Sequence, residues 1–304
     1  MMQKTLVRQS VRVSFSDTLF AVLNYGILSL VLFIVAYPLY FILIASISNP
    51  DLVNTGQVLF YPKEISLEGY QRIYNYNDIW TGYANTIFYA AVGTCISIFL
   101  TMTLGYALSL NVFSGRKFIM VFITITMFFS GGLIPTFLLV INLGLHDTRA
   151  VMVLLGAVSV FYVIVTRTFI RSTLPHELQE AVFIDGGTHF RYFFQFVMPL
   201  SKALIAVLAL IYGIGHWNDY FRALIYLRDR GKWPLQLFLR IILVLNQTGD
   251  TDMMVDIAAE QERLRLAELI KYGIIIVASA PVLFLYPFLQ KYFVKGVMIG
   301  SLKG

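Results

Sequence analysis

The most informative stretch of this 304-residue sequence reads Pro175-His-Glu-Leu-Gln-Glu-Ala-Val-Phe-Ile-Asp185-Gly-Gly-Thr-His-Phe-Arg-Tyr-Phe-Phe-Gln195-Phe-Val-Met-Pro199. Its first half has apolar residues at helical spacing, and Gly186-Gly187 can end that helix because glycine readily adopts positive φ. A second helix can begin at Thr188, a residue type favoured at helix starts, and run to Pro199. The apolar face of this second helix would hold Phe190, Phe193, Phe194 and Val197. The stretch therefore predicts two short amphipathic helices that meet at a tight glycine turn and end at Pro199.

An aromatic helix face that would otherwise meet water needs a surface that buries it. A groove on a soluble partner protein would do so. A helix lying in the plane of the bilayer would bury the same face in lipid. The pattern of residues alone leaves both interpretations open.

Long apolar segments flank this stretch on both sides. Hydrophobic residues make up 58% of the chain and charged residues only 13%, which leaves too little polar surface for a soluble globule. Segments long enough to cross a hydrocarbon layer of about 30 Å lie at 19–47, 84–110, 118–142, 150–171, 203–227 and 270–290. The first segment is too long for the apolar core of a cleaved signal peptide. We therefore predict an all-α polytopic membrane protein with six transmembrane helices.

Charge predicts the orientation. With the N-terminus inside, lysine and arginine outnumber the acids on the inner side, and both termini are cytoplasmic. The net charge of +6 then reflects topology, and it does not indicate a nucleic-acid partner. Cys95 is the only cysteine, so a disulfide framework and a thiolate metal site are both excluded.

The predicted spans divide the chain into segments. Residues 1–18 would lie along the inner membrane surface as an amphipathic anchor. Residues 48–83 and 228–269 would form extracytoplasmic loops, which either dock an external partner or merely cover helix ends. The remaining parts are the first span at 19–47, a core of five spans at 84–290 with an inner loop at 174–199, and a cytoplasmic tail at 291–304.

Two of the spans contain polar or helix-breaking residues. The third reads Phe129-Ser-Gly-Gly-Leu-Ile-Pro135, and Ser130, Gly131 and Gly132 there predict a break that either lines a cavity or allows close helix packing. The fifth contains Trp217, Asn218 and Asp219 in its outer half, where an aromatic ring beside polar groups suits a sugar. Alternatively, Asp219 pairs with Arg222 three residues later, and Trp217 is an ordinary interfacial tryptophan.

The inner loop resembles the Glu-Ala-Ala loop, or EAA loop, of ABC importer permeases. Glu180-Ala181, Asp185-Gly186 and Pro199 stand in the family's register, whereas Val182, Phe196 and Met198 replace its usual residues by other apolar ones. Further stretches resemble the maltose and multiple-sugar permeases, and the ending resembles permeases for complex oligosaccharides. These stretches are Trp80-Thr-Gly-Tyr-Ala-Asn-Thr86, Phe129–Pro135, Asn142-Leu-Gly-Leu-His-Asp-Thr148, Trp217-Asn-Asp219 and Tyr286–Gly304.

The resemblance implies a type I ABC importer permease fold in a bacterial cell membrane. It also implies four kinds of partner: a second related permease, two copies of a cytoplasmic ATPase, an extracytoplasmic solute-binding protein and an oligosaccharide substrate. Glu180 and Asp185 would hold the turn or pair with the ATPase, and Ala181, Phe190 and Phe193 would fill a groove on it, with Gly186 and Gly187 shaping the turn. In the tail, Gly300, Lys303 and Gly304 would contact the ATPase.

Sequence motifs for catalysis are absent. Gly231-Lys232 has no upstream glycine at phosphate-loop spacing, and neither a serine-hydrolase elbow nor a zinc-protease motif occurs. We therefore expect no catalytic residue, no metal site and no cofactor on this chain, with ATP and Mg²⁺ bound by the partner ATPase. An ABC permease for another class of solute, an ion-coupled secondary transporter and a membrane scaffold without transport activity are the alternatives.

Overall fold

The computed structural model describes residues 15–245 and 268–284, and these form helices and loops without a β-strand. The first seven helices are α1 Phe15–Ser46, α2 Pro50–Asn54, α3 Glu68–Asn75, α4 Asn77–Ser109, α5 Arg116–Phe128, α6 Leu133–Asn142 and α7 Arg149–Leu154. The others are α8 Val160–Thr173, α9 His176–Ile184, α10 His189–Leu200, α11 Lys202–Trp217, α12 Phe221–Tyr226, α13 Leu235–Leu245 and α14 over 268–284.

Several sequence predictions concern residues outside these two described ranges. Most of the predicted anchor at 1–18, much of the outer loop at 228–269 and the tail residues Gly300, Lys303 and Gly304 lie outside the described residues. They stay predictions.

Several apolar segments that hydropathy marks as single spans consist of two helices in the structure. Within residues 15–245 and 268–284, two unbroken helices, α1 and α4, are long and apolar enough to cross a membrane. The helix pair α5 and α6 is bent by 117°, and the pair α10 and α11 by 78°, so up to four spans result if each bent pair counts as one. The predicted fourth span consists of α7 and α8, and the fifth of α11 and α12. Six continuous spans therefore remain a prediction.

Helix α4 is the central helix, against which α7, α8, α11 and α13 pack. Small residues along α4 allow this close approach. A Cβ atom on Gly93 would lie 2.6 Å from the His216 ring of α11, and one on Gly105 would lie 2.5 Å from the Thr166 side chain of α8. Close packing at small residues is how membrane helices associate, because lipid provides no hydrophobic force between them.

Helix α1 is the opposite case, since almost all of its apolar surface is exposed. Of its most apolar 18 residues only 6% are buried, and Phe33, for example, is 69% exposed. It joins the remaining chain near its Ser46 end, where Ile44 and Ala45 pack against Val53 and Val58. Such a surface suits lipid or another membrane subunit.

Candidate coupling hairpin and substrate path

The glycine hairpin, residues 176–200, consists of α9, a turn and α10. Helix α9 ends in a Schellman motif: the Gly187 N–H donates to the Val182 carbonyl at 2.8 Å, and the Gly186 N–H donates to the Phe183 carbonyl at 3.0 Å. Gly186 has φ +75°, in the left-handed region that favours glycine. The predicted glycine turn is thus confirmed in position and in backbone conformation.

The second helix of the hairpin begins where the sequence indicates. The Thr188 hydroxyl oxygen accepts the Arg191 N–H at 3.3 Å and so caps α10. The helix then widens into a π-helical turn at Phe193–Val197 and ends at Leu200. Pro199 therefore lies inside the last turn of the helix, which ends one residue after the predicted end.

One face of the hairpin packs on the other helices. Val182, Phe193 and Val197 are buried together with Tyr106 of α4 in one apolar cluster. The Tyr106 hydroxyl lies 3.0 Å from His189 Nδ1, and the Tyr106 ring lies 5.3 Å from the Phe193 ring. Phe193 was expected to contact an ATPase, whereas in this structure it is only 5% exposed and packs inside this chain's own core.

The opposite face of the hairpin is open. Glu180, Ala181 and Asp185 are exposed there, and the Glu180 carboxylate pairs with His176 at 3.1 Å within the same helix. Ile184 is 84% exposed and Phe190 is 78% exposed, one on each side of the turn. Sequence analysis missed Ile184, whose only signal is that it is apolar yet lies off the buried stripe of α9.

The predicted break of the third span is present between α5 and α6. Gly132 has φ +86°, and its N–H donates to the Ser130 hydroxyl at 3.2 Å. Ser130, Gly131 and Gly132 are all exposed on this chain. The break is thus confirmed, whereas the role of these residues in lining a path stays a prediction.

Trp217 is not the free aromatic platform that its sequence context suggested. The ring is only 7% exposed, its indole N–H donates to the Ala278 carbonyl at 3.1 Å, and the Tyr83 ring packs on it at 6.0 Å. It also borders an open groove of about 430 Å³ between α4, α11 and α14, whose lining is almost entirely apolar. Such a lining offers few partners for sugar hydroxyls, so Trp217 is a packing residue here.

Asp219 follows the alternative interpretation, in which it pairs with Arg222 three residues later. The Arg222 guanidinium also donates to the Leu155 carbonyl, in the break between α7 and α8. On the other side of that break, the Ser159 N–H donates to the Tyr212 hydroxyl at 3.3 Å. Side chains of α11 and α12 therefore satisfy backbone groups that the broken fourth span leaves unpaired, as a low-dielectric environment requires.

Further polar groups lie around the break between α11 and α12 and take no part in these contacts. Asn218 is exposed, and its side-chain oxygen accepts the Gln236 amide N–H of α13 at 3.4 Å. One turn further along α13, the exposed Arg240 guanidinium lies 4.7 Å over the centre of the Tyr220 ring. We call Asn218, Tyr220, Gln236 and Arg240 the outer polar face. Of these four residues, the sequence pointed only to Asn218.

A dense polar clamp lies at the Asn77 end of α4, opposite the hairpin. The Asp147 carboxylate accepts the Arg228 and Asp229 N–H groups at 3.1 and 3.0 Å and pairs with Lys232 at 3.3 Å. The hydrogen bond from the Asp229 backbone contributes most to holding the pKa of Asp147 below its usual value. The Asn85 amide of α4 donates to the Gly231 carbonyl at 2.8 Å. The loop at 227–235 is thereby fixed to α4.

Comparison with known proteins agrees with this architecture. Residues 101–299 match the family model described as binding-protein-dependent transport system inner membrane component. The chain is 36% identical to the polygalacturonan/rhamnogalacturonan transport system permease protein YtcP of Bacillus subtilis, over 95% of this chain and 99% of that protein. It is 27% identical to the arabinooligosaccharides transport system permease protein AraQ of Halalkalibacterium halodurans, over 90% and 92% of the two chains.

A solved structure is also similar. It is the crystal structure of a bacterial ABC transporter involved in the import of the acidic polysaccharide alginate, and the TM-score to one of its chains is 0.83 at 32% identity. The match covers 92% of this chain and 98% of that one. The chain therefore belongs to the binding-protein-dependent transport system inner membrane components, the permease subunits of ABC importers.

Proposed function

We propose that this chain is the permease that translocates an oligosaccharide through an ABC importer, driven by a separate cytoplasmic ATPase that docks on the glycine hairpin. The observation that supports this most directly is the two-sided hairpin. One face is packed into the membrane helices, and the other exposes Ile184 and Phe190 beside two carboxylates. An apolar pair flanked by charges is the composition of a protein interface with a buried centre.

The contacts of the hairpin give it a mechanical role. Its buried face touches α4 through Tyr106, and the same apolar cluster includes Ile170 of α8 and Leu204 of α11. A displacement of the hairpin by the ATPase would therefore move three helices together, because tightly packed cores transmit strain. Gly186, Gly187 and Pro199 shape the hairpin, while Glu180, Ala181 and Asp185 would meet the ATPase.

The hairpin and the clamp lie far enough apart to stand on opposite sides of the membrane. Tyr106 and Asn85 lie on the same unbroken helix, and 1.5 Å per residue places them about 30 Å apart, close to the thickness of the hydrocarbon layer. With the hairpin in the cytoplasm, the clamp lies at the extracytoplasmic surface. Both termini would then be cytoplasmic, and six spans would cross the membrane.

For the cargo we propose an acidic oligosaccharide containing uronate units. The similar permease of Bacillus subtilis is named for polygalacturonan and rhamnogalacturonan, and the similar structure imports alginate. These polymers share carboxylate-bearing sugars. A second permease, two ATPase copies and an extracytoplasmic solute-binding protein would complete the importer, as in the family that the sequence resembles.

Reconstitution tests the proposal. The chain would be purified with its partner permease and ATPase, placed in proteoliposomes and supplied with the solute-binding protein and labelled trigalacturonate. We expect uptake that requires ATP and stops when the ATPase carries an inactive phosphate loop. Uptake that persists with that inactive ATPase, or a chain that never copurifies with an ATPase, would rule the proposal out.

A further inference from the structure

We propose that the outer polar face binds a carboxylate of the incoming oligosaccharide, with Arg240 as the residue that selects for acidic sugars. This inference rests on the proposed function and deepens it. It assigns a site that the sequence motifs and the hairpin do not account for. The outer polar face comprises Asn218, Tyr220, Gln236 and Arg240, where α13 passes the break between α11 and α12.

The first argument is that Arg240 lies in an apolar helix and has no acidic partner among the residues that the structure describes. It is the only charged residue of α13, which reads Leu-Gln-Leu-Phe-Leu-Arg-Ile-Ile-Leu-Val-Leu. Within residues 15–245 and 268–284, no carboxylate lies at ion-pair distance from it. Arg222 differs from Arg240 in its surroundings, since it is partly buried, paired with Asp219 and bonded to a backbone carbonyl. Arg222 is thus structural, whereas the hydrogen-bond donors of Arg240 are not used by any acid of the described residues.

The second argument is that the Tyr220 ring contacts the Arg240 guanidinium. The guanidinium lies on the face of the Tyr220 ring at 4.7 Å, an arrangement stabilised by cation–π attraction. This contact uses none of the guanidinium N–H groups as hydrogen-bond donors to an oxygen and so leaves them available. These groups form the fork that binds a carboxylate through two parallel hydrogen bonds.

The third argument concerns the neighbouring amides. The contact between Gln236 and Asn218 is 3.4 Å long and uses one N–H and one oxygen of the pair. The Gln236 side-chain oxygen and its second N–H have no partner among the described residues and suit sugar hydroxyls. A carboxylate-binding arginine beside an amide pair is a surface for a uronate unit, which carries both kinds of group.

The fourth argument is that the site is rigid and lies at the correct end of the molecule. The Leu235 N–H donates to Thr86 of α4 at 2.8 Å, and Phe238 packs so closely on Gly82 that a Cβ there would lie 2.8 Å from the ring. Helix α13 is therefore fixed to α4 near the polar clamp. In the proposed orientation this is the entry side, where a delivered oligosaccharide arrives.

Contact between Arg240 and lipid is the costly alternative, because a charged side chain in a membrane helix normally faces water or a partner group. An acidic residue of the second permease could also pair with Arg240. We favour the cargo because the amides and the half-buried tyrosine beside the arginine match a sugar, and the experiment separates the two.

The test compares Arg240→Gln and Arg240→Lys with Arg72→Gln, a control that removes an exposed arginine paired with Glu68 on its own helix. Uptake of trigalacturonate and of its methyl ester would be measured in proteoliposomes. Basal ATPase activity with the sugar-free binding protein would be measured alongside. Loss of a charge-assisted bidentate contact predicts a fall in trigalacturonate uptake of about ten- to a hundredfold for Arg240→Gln. We expect a smaller fall for Arg240→Lys, and ester uptake and basal ATPase activity within about twofold of the parent.

Unchanged trigalacturonate uptake by Arg240→Gln overturns this inference and leaves the proposed function intact. A parallel fall in uptake and basal ATPase activity also overturns it, because Arg240 would then hold the second permease. If the parent complex imports neutral oligosaccharides but no trigalacturonate, the proposed acidic cargo is wrong, and the carboxylate site is wrong with it.

Discussion

Replacing Gly186 tests whether the backbone conformation of the hairpin turn couples ATP hydrolysis to transport. Gly186 has φ +75°, and an added Cβ would have no atom within 4 Å. Substitution here therefore changes the conformational preference of the backbone and introduces no clash. The position offers an unusually clean comparison between residue types.

The expected magnitude follows from that φ value. A left-handed conformation costs an ordinary L-residue roughly 1–2 kcal/mol, whereas asparagine tolerates it better and a β-branched residue tolerates it worst. Gly186→Val should therefore shift the equilibrium constant between the correctly closed turn and other conformations by about 5- to 30-fold, since 1.4 kcal/mol corresponds to a factor of ten. Gly186→Asn should lose little.

The assay is the ATPase activity of the reconstituted complex with and without the loaded solute-binding protein. We expect Gly186→Val to insert and assemble normally but to lose most of the stimulation, with Gly186→Ala between it and Gly186→Asn. If valine and asparagine have equal effects, backbone conformation at the turn is not what matters. Parental stimulation in the valine variant would remove the turn from the coupling mechanism.

Three further changes test the packing. Gly187→Ala should uncouple the complex in the same assay, because its Cβ would lie 2.5 Å from the Val182 side chain and 2.7 Å from its carbonyl oxygen, and parental activity would contradict this. Arg222→Leu should lower the free energy of unfolding by about 3 kcal/mol or more, because it leaves the Asp219 carboxylate and the Leu155 carbonyl unpaired. Size-exclusion chromatography in detergent should then show loss of folded protein, and a normal elution profile would refute this prediction. Asp147→Asn should lower the thermal unfolding midpoint at neutral pH. Because the pKa of Asp147 is lowered from 3.8, its carboxylate stabilises the folded protein above that pH. This stabilisation is lost as the pH falls through the lowered pKa, so the unfolding midpoints of variant and parent should converge in that pH range. A difference between the midpoints that stays constant with pH would exclude this carboxylate as the cause.

The hairpin was predictable because its signals are local. Helical spacing, a glycine pair and a threonine cap each act within a few residues, and all three appear in the structure at the predicted positions. Which hairpin residues face a partner was less predictable. Phe193 and Phe190 share the same sequence stripe, yet Phe193 is buried against Tyr106, which lies more than eighty residues earlier in the chain.

The path through the membrane was predictable only in part. Hydropathy measures the apolarity of a window and is blind to missing backbone hydrogen bonds, so the breaks after Leu155 and at Asn218 passed as continuous helix. The break at Gly132 was found because two glycines and a proline mark it. The packing of Trp217 was not predictable for a different reason. An aromatic residue in an apolar span packs or binds equally well until its neighbours, here Tyr83 and Ala278, are known.

The breaks and the unbroken central helix α4 together imply how movement is shared between the helices. The helices of the third, fourth and fifth predicted spans are interrupted at Gly132, Leu155 and Asn218, whereas α4 runs for 33 residues without interruption. It is bonded to the hairpin at one end and to the polar clamp at the other. Backbone rotation concentrates where helical hydrogen bonds are missing, so the interrupted helices can change angle while α4 moves as a rod. A push on the hairpin would then reach the entry side chiefly through α4, and the fixed loop at 227–235 would carry α13 with it. The proposed carboxylate site would thereby shift together with the hairpin, and cargo release would be tied to the state of the ATPase.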